Sequence, residues 1–195
     1  MNFRLNAFTT VVGLVLSTPA HADCLAEIQG IMQNYIKAGP YHAAMESDIG
    51  GPKRTTEIDA ILPSSFHMKA PDVEVIILKE GVWMNTGGKW MTMPVAMSGM
   101  VEQNIKMSIA SMKDLSNVQC EGAQSIESQT LNKYEMDSSG RAMGINLVTH
   151  VTMYASDKGL PQIMVVDGEE MGHKNHTVLH ITYDPSITIT PPNLK

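Results

Sequence analysis

The chain has 195 residues, with 14 basic side chains against 20 acidic ones and a net charge of −6. Hydrophobic residues make up 43% and charged residues 17%, a composition suited to a globular domain. Acidity without any compensating basic run excludes nucleic acid as a partner and disfavours anionic lipid surfaces.

The start of the chain has the layout of a cleavable secretory leader. Arg4 supplies a short basic region, residues 8–16 (FTTVVGLVL) an apolar run, and Ala20-His21-Ala22 a small-residue cleavage site. Residues 1–22 are therefore expected to be removed, leaving one domain over residues 23–195 in the periplasm. Removal leaves 13 basic and 20 acidic residues, a net charge of −7. A lipid-modified cysteine needs a small residue before it, and Asp23 precedes Cys24, so no lipid anchor is expected there. Cys24 and Cys120 are the two cysteines, and in an oxidising compartment a disulfide between them is expected. A redox pair or thiolate metal site is the alternative, but C-x-x-C spacing is lacking.

Residues 24–38 read as an amphipathic helix. Leu25, Ile28, Met32, Tyr35 and Ile36 fall at helical spacing, Asp23 is placed to cap the start, and Gly39-Pro40 stops it. The period then becomes two. Residues 41–48, 54–62, 66–70 and 73–79 are runs separated by Pro/Gly/Ser turns, which predicts an antiparallel meander. Residues 82–86 and 89–93 flank Gly87-Gly88, a strong two-residue hairpin signal. Pro94 opens a predicted second helix, with Met97, Met100, Val101, Ile105, Ile109 and Met112 as its apolar stripe. Strands follow at 118–126 and 130–136, then a predicted turn at Asp137-Ser138-Ser139-Gly140. Further strands are expected at 145–154, 160–167, 176–184 and 187–190. So long a sheet curls or packs on something. The expected fold is α+β: a strongly curved antiparallel sheet with two helices on its concave side and room between them for an apolar ligand.

With these elements placed, a resemblance emerges. Residues 83–94 (WMNTGGKWMTMP), 152–165 (TMYASDKGLPQIMV) and 183–192 (YDPSITITPP) resemble the Trp hairpin, the Gly-Leu-Pro turn and the proline-terminated last strand of periplasmic proteins related to the outer-membrane lipoprotein carrier. The likeness covers about residues 73–192. It implies a half-barrel holding acyl chains or similar groups, with no catalytic residues and no cofactor.

Methionine is abundant, at 16 residues, and Phe66 is the only phenylalanine beyond the leader. Methionine is flexible and polarisable, so it lines surfaces that accept varied apolar shapes, and it also fills plain cores. The predicted ligand-lining set is Met84, Met91, Met93, Met97, Met100, Val101, Ile105, Ile109, Met112, Leu147, Val151 and Met153. Three uses compete: a carrier for a lipid, a lipoprotein acyl chain or an acylated protein; a copper site built from Met and His ligands; and an envelope accessory protein whose surface meets a protein partner. His173, His176 and His180 are expected to be exposed on a strand rather than gathered on one ion. Trp83 and Trp90 are expected to neighbour each other across the hairpin, although a stacking platform would use the same pair. No enzymatic constellation is legible, and a monomer is expected.

Overall fold

A computed structural model describes residues 20–48, 52–94, 115–142, 145–170 and 173–194, with Gly99 and Gln103 as isolated positions. One helix, α1 (Ala20–Lys37), precedes eleven strands: β1 (Tyr41–Ser47), β2 (Arg54–Ile61), β3 (Ser65–Ala70), β4 (Val73–Leu78), β5 (Gly81–Thr86), β6 (Lys89–Met93), β7 (Leu115–Ile126), β8 (Gln129–Ala142), β9 (Ile145–Ala155), β10 (Pro161–Glu170) and β11 (His173–Tyr183). All eleven form a single antiparallel sheet in the order β6-β5-β4-β3-β2-β1-β11-β10-β9-β8-β7. The meander is interrupted once, where β11 returns to pair with β1 and joins the two halves.

The expected two-helix architecture is corrected here. Among the described residues a single helix packs on this large sheet. The second predicted helix falls at residues 95–112, outside the described residues except for Gly99 and Gln103, whose backbone is helical. α1 also starts earlier than expected, so Asp23 lies within its first turn, where a carboxylate favours the helix dipole, rather than at the cap. Gly39 ends the helix at a φ of +91°, a conformation that costs glycine little.

α1 buries Cys24, Ile28 and Ile31 at helical spacing against Val118, Tyr134, Met136, Met153 and Ala155 of β7–β9. Farther along, its Tyr35 joins Tyr41, Ala43, Ala60 and Ile181 of β1, β2 and β11. β7 and β2 are six strand spacings apart, about 29 Å if the sheet were flat, far wider than a helix of about 10 Å. The sheet therefore curls around α1. Its edges, β6 and β7, are not paired with each other, so the barrel is open. Cys24 and Cys120 form the expected disulfide, with Cα atoms 5.8 Å apart, and it ties the start of α1 to edge strand β7.

Two local expectations fail for one reason. Residues 137–140 form no turn: β8 runs on through them, pairing Asp137 with His150 and Ser138 with Thr149. Residues 187–190 form no strand, although their alternation resembles one. After a turn in which Asp184 accepts hydrogen bonds from the Ser186 amide and hydroxyl, this segment crosses the outer face. In each case the presence or absence of a neighbouring strand outweighs local composition.

Candidate functional site

Cross-strand register assigns every strand residue to a face. Directly paired residues lie on the same face, and alternate residues of one strand share it except across the irregularities at Ser116/Gln119, Cys120/Gly122 and Pro161/Ile163. One row on the helix side runs Ile181, Ala43, Ile58, Met68, Val75, Met84, Met91. A second runs Tyr134, Met153, Met164, Leu179, Met45. Adding Met93, beside Met91, and Met136, beside Tyr134, places all eight methionines of the strands on the helix side.

The expected lining residues divide into three groups. Met84, Met91 and Met93 lie on this concave face at β5 and β6, with Met91 46% exposed. Met153 is wholly buried beneath α1, and Val151 packs at the margin of the same cluster. Met97, Met100, Val101, Ile105, Ile109 and Met112 lie outside the described residues, as does the side chain of Leu147. The concave face also includes Met45, Met68, Ile58 and Val75, which the sequence reading left out. Their signal was parity along each strand, which becomes legible only once the partner strands are known.

The opposite face carries a set of histidine–carboxylate pairs. His42, His67, His150, His176 and His180 all lie on it, and each meets a carboxylate. His42 contacts Asp59 and Glu57, both at 2.8 Å. His67 meets Glu74 at 2.7 Å, His150 meets Asp137 at 2.8 Å, His176 meets Asp167 at 2.6 Å, and His180 meets Glu127 at 3.6 Å. Asp59, hydrogen-bonded to the His42 ring, raises that imidazole above its ordinary value against a smaller opposing effect of burial. Asn117 and His150 together hold the Asp137 carboxyl below its usual range. Asp137, His150, Asp167 and His176 form one row, and Asp48 accepts from the His176 amide at 3.0 Å. A cleft of about 710 Å³ opens over this row. Among the described residues, no group of three His, Cys, Asp or Glu side chains is arranged to hold a metal ion. The side chains of His42, His67, His150, His176 and His180 lie on the side of the sheet opposite the strand methionines, while the side chain of His173 lies outside the described residues.

Trp83 and Trp90 are on the outer face as well. Trp83 packs with Ile76 and Leu78, while Trp90 and Ile189 of the crossing segment close over them. The pair serves packing. Gly87 and Gly88, at φ of +60° and +80°, make the expected tight turn between them.

No protein-family model matches the chain, and no curated protein is similar to it in sequence. Its architecture does have a counterpart. Lipoprotein LppX of Mycobacterium tuberculosis matches with a TM-score of 0.57 at 11% identity, over 90% of this chain and 100% of LppX. The chain shares the LppX fold. The expected likeness to the lipoprotein-carrier half-barrels is thus borne out as a matter of fold. MucB gives a TM-score of 0.42 at 9% identity, over 85% of this chain and 59% of MucB. The Pseudomonas aeruginosa MucA/MucB complex gives 0.41 at 10% identity, over 84% of this chain and 59% of that one. In this chain α1 fills the interior of the curled sheet over β7–β10.

Proposed function

We propose that this protein is a periplasmic, non-catalytic carrier that holds a lipid, a lipoprotein acyl chain or a similar apolar ligand against the concave face of β2–β6. The observation that carries this reading is the row Ile58, Met68, Val75, Met84, Met91, which continues the helix-packed core beyond the described helix. Thioether side chains adapt to an acyl chain of variable length without a fixed complementary shape. Binding is driven by removal of apolar surface from water, about 25 cal/mol per Å². The leader and the disulfide support the periplasmic address, and an envelope protein is the partner that such a carrier would load from or deliver to.

Native mass spectrometry of protein purified from the periplasm tests the reading, together with uptake of a fluorescent fatty acid. A copurifying lipid mass and saturable uptake are expected, with uptake lost in Met68→Glu and Met84→Glu. Absence of both a bound mass and uptake by the unmodified protein would overturn it.

A further inference from the structure

We propose that Met91 is the entry point of an oxidation-sensitive methionine row, through which a peroxide converts the concave face from apolar to polar and releases its ligand. The loss of ligand rests on the carrier reading above; the order of oxidation does not. Three observations support it. The row Met68, Val75, Met84, Met91 ends at Met91 on edge strand β6, and successive members are about 5 Å apart across the strands. Exposure is graded along the concave face: Met91 is 46% exposed, Met68, Met84 and Met93 are half-buried, and Met153 is 0% exposed. The cysteines are joined to each other, so the described thioethers, rather than thiols, are the soft nucleophiles open to an oxidant.

The step balances with a hydroperoxide as oxidant. A lone pair of the Met91 sulfur attacks the peroxide oxygen, the S–O bond forms and the O–O bond breaks. The departing hydroxide takes up the proton left on the transferred oxygen and leaves as water. Sulfur is oxidised by two electrons and the peroxide is reduced. The sulfoxide is polar and chiral, so it disrupts the apolar row it joins, and a thiol-dependent sulfoxide reductase restores the thioether.

The test exposes the full folded chain to graded hydrogen peroxide and maps added oxygen by peptide mass spectrometry. Met91 is expected to react first and Met153 last, and the difference should disappear in urea. Equal rates in the folded protein, or a difference that persists in urea, would overturn the proposed order. Uptake of a fluorescent fatty acid is then compared before and after oxidation. Protein carrying oxygen at Met91 and Met84 is expected to bind about tenfold more weakly. In the Met84→Leu/Met91→Leu variant, whatever its starting affinity, the ratio of uptake after peroxide to uptake before it should stay near one; undiminished binding by the oxidised wild-type protein would overturn the release step. If the untreated protein takes up no probe, the carrier reading fails and release fails with it, while the order of oxidation is judged by the mapping alone.

Discussion

Tyr134 of β8 donates its hydroxyl proton to Glu27 of α1 at 2.6 Å, one helical turn beyond Cys24. Burial, reinforced by this bond, pushes the Tyr134 phenol well above its ordinary value. The bond and the disulfide thus fasten the same turn of α1 to neighbouring strands. Tyr134→Phe keeps the buried ring and removes only the hydroxyl. A loss of about 1 kcal/mol is expected in urea unfolding, because Glu27 is exposed and regains water. No change would show that the bond contributes nothing.

The disulfide closes a separation of 96 residues, for which the chain-entropy model gives about 4–5 kcal/mol. Cys24→Ser/Cys120→Ser should lower stability by about 2–5 kcal/mol, and reduction of the wild type should do the same. Thermal unfolding with and without reductant checks this. Coincident transitions would remove the bridge from the list of stabilising features.

Methionines on one face should differ by depth. Met153→Ala, beneath α1, should cost about 2–5 kcal/mol as a buried cavity. Met91→Ala, at the exposed edge, should fall within about 0.5 kcal/mol of wild type while weakening ligand uptake. Denaturant midpoints for the pair check the contrast, and equal losses would contradict it.

The His42 imidazole is raised above 6.5, chiefly by Asp59. A raised folded value means that protonation stabilises the fold below the unfolded value, a contribution lost as pH rises through the folded one. Proton NMR should place the His42 midpoint above 6.5, with Asp59→Asn lowering it. For Asp137, depressed from 3.8, the sign reverses: its contribution is present above that value and lost as pH falls through the folded one. A wild-type His42 midpoint at or below 6.5 would contradict the first assignment.

The β5–β6 hairpin and the body of α1 were legible in the sequence because local chemistry decides them: two glycines at positive φ, and a stripe of Leu25, Ile28, Met32 and Tyr35, to which the fold adds the buried Ile31. Asp137-Ser138-Ser139-Gly140 misled because Asp and Ser favour turns when unpaired. In the fold, Asp137 finds Asn117 and His150 on adjacent strands, so its side chain is satisfied within the sheet. The candidate site was legible in residue type but not in place. Met45 and Met68 look like any strand methionines until β1 is paired with β11 and β3 with β4.

The division of the sheet into a methionine side and a histidine–carboxylate side makes its pairing self-correcting. If β10 slipped by one residue against β9 or β11, Met164 would turn to water and Asp167 would lose His176 and meet α1 or the apolar interior. Both faces therefore reject the slip together. A one-residue insertion in the middle of β10 should be far more disruptive than a two-residue insertion at the same point, since two residues restore the alternation. Natural length changes in this chain are accordingly expected in the loops between strands or at irregularities such as those already in β7 and at the start of β10, not in the regularly paired middle of a strand.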